Sequence, residues 1–167
     1  MQFSEKQLVE AFWQDALMWD HNPLEFERGV NFRKRDRPIR RRYNLSAHRE
    51  FSLPSGRRID VLIQSKYQRF IWIIEFKVVV EASAILQLAE YYQEVKQHFI
   101  FNKGKRRRCR IGVSLAGQFF KDDALFFAEQ LGIQCLHVTP TNYSKCSVQE
   151  INEPCLRRFS TKGYFNG

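Results

Sequence analysis

The run Phe70-Ile-Trp-Ile-Ile-Glu-Phe-Lys77 is too apolar for a strand that faces water, yet it carries Glu75 and Lys77. Side chains two apart on a strand share a face, so Glu75 and Lys77 point one way and Ile74 and Phe76 the other. Upstream, a second apolar run, Arg58-Ile-Asp-Val-Leu-Ile63, carries Asp60 in the same manner. A buried carboxylate is costly unless it finds a cation. Two carboxylates and a lysine on neighbouring strands point to a divalent-metal site for attack on phosphate esters. The alternative is a buried ion pair, Glu75–Lys77 or Asp60–Lys77. It accounts for one carboxylate and leaves the second unpaired, so the metal site ranks above it.

The elements around these runs set the architecture. Ser4 to about Trp19 reads as a helix, with Ser4 and Gln7 forming a capping box and a stripe of Val9, Phe12, Trp13 and Ala16. Residues 20–47 show weak periodicity and many arginines and read as an irregular basic segment. His48–Leu53 alternates like a strand, Pro54-Ser-Gly56 is a turn, and Arg57–Ile63 returns as the second strand of a hairpin. Phe70–Val79 is the third strand. Ala82–Phe99 is a helix with a stripe of Ile85, Leu88, Tyr92, Val95 and Phe99. A strand at Arg110–Leu115, a helix at Asp122–Leu131 stopped by Gly132, and a strand at Ile133–Val138 follow. The order predicts an α/β fold, a mixed central sheet flanked by helices on both faces. The division expected is a domain over 1–139 and a loosely attached tail over 140–167.

Composition fits a single domain with a real core: 167 residues, 44% hydrophobic, with 15 phenylalanines. No apolar run is long enough to span a bilayer, and Met-Gln-Phe-Ser-Glu-Lys lacks the features of a signal peptide, so a cytoplasmic location is expected. Net charge is +9, from 27 Lys and Arg against 18 Asp and Glu. The excess is clustered in Arg33–Arg42, with seven basic residues, and Lys103–Arg108, with five. Such density is the footprint of a polyanion binder. A solvated loop or a membrane-surface patch is the bland alternative, but neither cluster lies on an amphipathic helix. Cys109, Cys135, Cys146 and Cys155 form no Cys-x-x-Cys pair, and His21, His48, His98 and His137 have no metal-ligand spacing.

The order of elements, with Asp60 on the second strand and Glu75-Phe-Lys77 ending the third, resembles the PD-(D/E)xK nuclease superfamily, a restriction-endonuclease-like αβββαβ core. Gln87-Leu-Ala-Glu-Tyr91 adds the Gln-x-x-x-Tyr element of its RecB-like branch. Gly56-Arg-Arg-Ile-Asp60 and the closing strand–helix–strand resemble NucS-like nuclease domains. The resemblance covers about residues 46–138. The proline that precedes the aspartate in the family pattern is replaced by Ile59, a loss that many members share.

Residues and resemblance together give an expected chemistry. Asp60 and Glu75 hold Mg²⁺ or Mn²⁺ through oxygen, and the resemblance adds the Phe76 carbonyl as a further ligand. Lys77 orients the attacking water or stabilises developing negative charge. Glu50 falls opposite Asp60 if the hairpin turn is just three residues, and otherwise is an exposed acid beside Arg49 or Arg58. Glu5 resembles the first-helix glutamate of some members, or is a solvated first-turn acid. The family pattern adds Gln87 to the catalytic set and Tyr91 to the nucleic-acid contacts. Arg57 and Arg58 can guide the scissile strand, while Arg40, Arg41, Arg42, Arg106 and Arg107 bind backbone phosphates. The function expected is a metal-dependent deoxyribonuclease. DNA is the expected partner, with a homo-oligomer or a partner protein supplying specificity. A non-catalytic nucleic-acid-binding accessory module on the same fold is the competing reading.

Overall fold

The computed structural model describes residues 3–16, 45–65, 70–98, 110–142 and 145–151. Its elements are α1 (Glu5–Ala16), β1 (Leu45–Ser52), β2 (Arg58–Ser65), β3 (Phe70–Val80), α2 (Ala82–Lys96), β4 (Arg110–Phe120), α3 (Asp122–Leu131), β5 (Gln134–Asn142) and β6 (Lys145–Glu150). The six strands form one sheet in chain order. The β1–β2 and β2–β3 pairs are antiparallel, β3–β4 and β4–β5 are parallel, and β5–β6 is antiparallel again. This is the mixed sheet that the meander and the two helical crossovers imply.

Local signals explain several element ends. Gln7 Oε1 accepts from the Ser4 amide at 2.9 Å while Ser4 Oγ accepts from the Gln7 amide at 3.3 Å, the reciprocal capping box. Leu53 N–H donates to Arg57 O at 2.8 Å and Gly56 N–H to Leu53 O at 2.9 Å, closing the β1–β2 turn. Gly56 sits there at φ +86, a conformation costly for any other residue. Gly132 ends α3 in the left-handed conformation, with Ile133 N–H bonded to Ala128 O.

The sheet separates two cores. On one face α1 lays Leu8, Ala11 and Phe12 against Val61, Trp72, Ile74, Phe76, Ala116, Leu136 and Val138. Phe12 meets Phe76 edge to face, centroids 5.0 Å apart. Truncating Phe12 to alanine is expected to cost about 3–5 kcal/mol, from lost burial and the cavity left behind. On the other face α2 and α3 pack Ile85, Leu88, Tyr91, Val95, Ala124 and Ala128 against Ile71, Ile73, Ile111, Val113 and Leu115. Trp72 Nε1 donates to Ser114 Oγ, which donates to Gln134 Oε1, both at 2.7 Å. This buried relay ties β3, β4 and β5 in one register.

Several boundaries differ from expectation. The buried stripe of α1 is Leu8, Ala11 and Phe12, with Val9 and Trp13 only half-buried at its margin. In α2 the core position belongs to Tyr91, while Tyr92 is partly buried. Leu45–Ala47, expected in the irregular segment, open β1 and pair with Ile63–Ser65. Strand β4 runs on to Phe120, because Gly117 and Gln118 interrupt the apolar pattern without interrupting the ladder. The segment expected as tail begins with the end of β5 and contributes β6, which pairs with β5 from Leu136↔Glu150 to Asn142↔Lys145. Among the described residues no helix is long and apolar enough to cross a membrane.

Candidate active site

Asp60, Glu75 and Lys77 come together where the β2–β3 ladder ends. The last paired residues are Val61↔Ile74. One step further the Asp60 carboxylate replaces a backbone carbonyl, its Oδ2 accepting the Phe76 amide at 2.8 Å. Glu75 is 2% exposed. Its Oε1 accepts from Lys77 Nζ at 3.0 Å, and its Oε2 is buried with no hydrogen-bond partner. Lys77 also faces Glu5 Oε2 at 3.8 Å, so the first turn of α1 borders the site.

The electrostatics follow from this crowding. Burial, reinforced by the Asp60 charge, pushes the Glu75 carboxyl from 4.5 up to about 7, against weaker opposing pulls from Lys77 and the Asp60 backbone. Burial also raises Asp60, with Glu5 and Glu50 acting in the same sense and the Phe76 amide and Lys77 opposing it. Burial acts to lower the Lys77 ammonium, but Glu75, Glu5 and Asp60 outweigh it and hold the group above its ordinary value. One lysine thus serves three acids. Two carboxylates resist ionising side by side, one with an orphaned oxygen, and a cation between them would relieve both.

The donor set is spare. Among the described residues no group of three His, Cys, Asp or Glu side chains can hold a metal ion. Asp60 and Glu75 offer two carboxylates, so any further ligands would have to be backbone carbonyls and water. Such an oxygen donor set would suit a hard divalent cation that keeps several waters better than zinc.

Glu50 takes the exposed setting, beside Arg58. The β1–β2 register, from Arg49↔Val61 to Phe51↔Ile59, sets it opposite Asp60. Yet it adopts φ +48, the left-handed region, and its exposed side chain lies 3.7 Å from Arg58. Ile59 and Leu62, three residues apart, both pack under α2, so simple alternation breaks across Asp60. Sequence reasoning had no signal for a left-handed glutamate.

Helix α2 supplies the next pair. Gln87 Nε2 donates to the Tyr91 hydroxyl at 2.7 Å. Tyr91, expected at the nucleic-acid surface, is 4% exposed within the core under α2. Burial raises its phenol against the pull of the Gln87 hydrogen bond, and the charges of Glu75 and Asp60 add to the rise. Arg57 is exposed and bonded to Glu90 at 2.6 Å. Arg40, Arg41, Arg42, Arg106 and Arg107 lie outside the described residues. His48 lies 3.4 Å from Gln64 Nε2, and His137 Nε2 lies 2.8 Å from Gln118 O. Both rings are thus spoken for away from the acids.

Comparison with known proteins gives the chain its family. No curated protein matches it. Three solved structures are similar to part of the chain. EndoMS bound to double-stranded DNA is 19% identical, covering 55% of this chain and 35% of its own, at a TM-score of 0.41. A repair endonuclease from Pyrococcus abyssi is 17% identical, covering 70% and 46%, at 0.40. A protein of unknown function from Silicibacter pomeroyi is 19% identical, covering 71% and 69%, at 0.34. The chain thus spans between a third and a half of the two endonucleases. The family model of the PD-(D/E)XK nuclease superfamily matches residues 20–162, most of the chain, running through the arginine-rich segment, the whole sheet and β6. The chain belongs to the PD-(D/E)XK nuclease superfamily.

Proposed function

We propose that the chain is a metal-dependent nuclease that hydrolyses phosphodiester bonds in DNA, with Asp60, Glu75 and Lys77 at its centre. The observation that carries this reading is the buried Glu75, its Oε2 without a partner, beside a second raised carboxylate and a shared lysine. An ion pair alone satisfies Oε1 and leaves that oxygen stranded. Asp60, Glu75 and the Phe76 carbonyl are the groups that would hold Mg²⁺ or Mn²⁺. A cation bound there supplies charge neutralisation at the phosphate and a more acidic water.

The chain's own residues do the rest. Glu75 Oε1 fixes the Lys77 ammonium, which remains 24% exposed and so presents its other protons outward. From there Lys77 orients the attacking water and stabilises negative charge on a non-bridging phosphate oxygen. Its raised pKa keeps it protonated throughout the neutral range. The Phe76 amide holds the Asp60 carboxylate in place. Tyr91 holds Gln87 by its amide nitrogen, leaving the Gln87 carbonyl to accept from a water or a metal-bound group. The net charge of +9 supports a polyanionic substrate, with Arg57, Arg58 and the two basic runs as backbone contacts.

Glu75→Ala tests the proposal. Cleavage of DNA in Mg²⁺ is expected to vanish while DNA binding stays the same or tightens, because a repelling charge has gone. Equal cleavage by the variant would remove Glu75 from the chemistry. Binding without cutting by the wild-type protein, on every DNA tried, would favour an accessory module instead.

A further inference from the structure

From the packing around Lys77 we infer that Gly117 is a positioning residue for the reaction, holding β3 in place where it carries Lys77. The inference rests on the nuclease reading above. Gly117 is the parallel-register partner of Lys77, with Leu115 opposite Glu75 on one side and Phe119 opposite Val79 on the other. Those neighbours carry large side chains without difficulty, so the restriction is local to residue 117.

The restriction is one of space. Gly117 is not among the glycines with positive φ, so its backbone conformation is open to any residue. A Cβ added there would lie 2.6 Å from the Lys77 carbonyl oxygen and 2.6 Å from Val80 Cγ2. Neither neighbour can yield cheaply. The first is backbone. The second belongs to a residue with no exposed surface, whose carbonyl accepts from Lys121 N–H at 3.1 Å. The strain would therefore fall on β3 between Lys77 and Val80. That stretch bears the lysine at one end and leads at the other, through Glu81, into the helix that carries Gln87 and Tyr91. A methyl group at residue 117 thus moves the ammonium away from Glu75 and tilts the Gln87–Tyr91 pair at once. Displacements on the order of 1 Å can cost about a hundredfold in rate while binding through remote groups is untouched.

Three variants test this: Gly117→Ala, Val80→Ala, and the two combined, each with its kcat and KM on DNA and its crystal structure. Gly117→Ala is expected to lose on the order of 10- to 100-fold in kcat with KM within about twofold of wild type. The Lys77 Nζ–Glu75 Oε1 contact should open beyond its present 3.0 Å. Val80→Ala removes one of the two overlaps, so the double variant should stay slow, because the carbonyl overlap remains. Recovery of the rate in the double variant would show ordinary side-chain crowding and overturn the proposal, as would a wild-type kcat in Gly117→Ala. If Gly117→Ala does not fold, the double variant carries the comparison. Failure of both to fold would make Gly117 a requirement of the fold rather than a positioning residue, and the proposal falls. The structural arm separates this idea from the nuclease reading. Should the wild-type protein cut nothing, an unmoved Lys77–Glu75 pair in Gly117→Ala would still refute the positioning role, and a displaced pair would support it.

Discussion

Glu75→Gln is expected to make the metal-free protein more stable than wild type at neutral and alkaline pH, although it removes a carboxylate of the proposed site. The glutamine keeps an oxygen to accept from Lys77 but cannot ionise. In the wild type the Glu75 carboxyl titrates near 7 when folded and near 4.5 when exposed. Its folded form therefore holds a proton that the unfolded chain has already released. Stability is full below about pH 4.5, falls as pH rises toward 7, and is flat above that. At about 1.4 kcal/mol for each pH unit between the two values, ionising Glu75 costs roughly 3 kcal/mol at pH 8, and under 1 kcal/mol at pH 5. Asp60, also raised, adds in the same sense; Lys77 acts only at strongly alkaline pH. Urea unfolding in EDTA at pH 5 and pH 8 checks this on both proteins. The wild type should lose about 2–3 kcal/mol more than Glu75→Gln between the two pH values. Excess Mg²⁺ should restore the wild type at pH 8 and leave the variant unchanged, since binding to the folded form alone stabilises it. Parallel pH dependence of the two proteins would refute the argument that Glu75 is buried and strained by its neighbours.

Other outcomes follow from single contacts. Ser114→Ala strands the Trp72 indole N–H and Gln134 Oε1, and should cost about 1–3 kcal/mol in thermal or urea unfolding. Tyr91→Phe removes only the hydroxyl that holds Gln87, so kcat should fall several-fold with DNA affinity unchanged; weaker binding instead would return Tyr91 to the nucleic-acid surface. Neutralising Arg40, Arg41 and Arg42 together should reduce the slope of log affinity against log salt by up to about three, whereas an unchanged slope would remove that segment from the interface.

The fold was legible because its signals are local and strong. Two apolar runs with misplaced charges, a capping box that forms as read, and acids with a terminal glycine around α3 each leave a mark in sequence. The clustering of Asp60, Glu75 and Lys77 was legible for the same reason, since charged residues inside apolar strands violate ordinary patterning. What escaped depends on tertiary contact. Strand β6 owes its existence to pairing with β5, and the alternation of Cys146 and Val148 among polar residues is too short to announce it. Tyr91 and Tyr92 differ only in rotation about α2, and the shape of the sheet beneath decides which is buried. Glu50 adopts a backbone conformation that sequence gives to glycine or asparagine. Gly117 reads as a break in an apolar strand until the carbonyl of Lys77 is seen above it.

The central claim is that Asp60 and Glu75 bind a cation that makes this chain a nuclease. Incubating labelled linear, flapped, branched and single-stranded DNA with the protein, in Mg²⁺, Mn²⁺ or EDTA, beside Asp60→Ala, tests it most directly. The account predicts cutting of at least one DNA in Mg²⁺ or Mn²⁺, none in EDTA, and none by the variant. Cleavage that survives EDTA, or that Asp60→Ala retains in full, would contradict it.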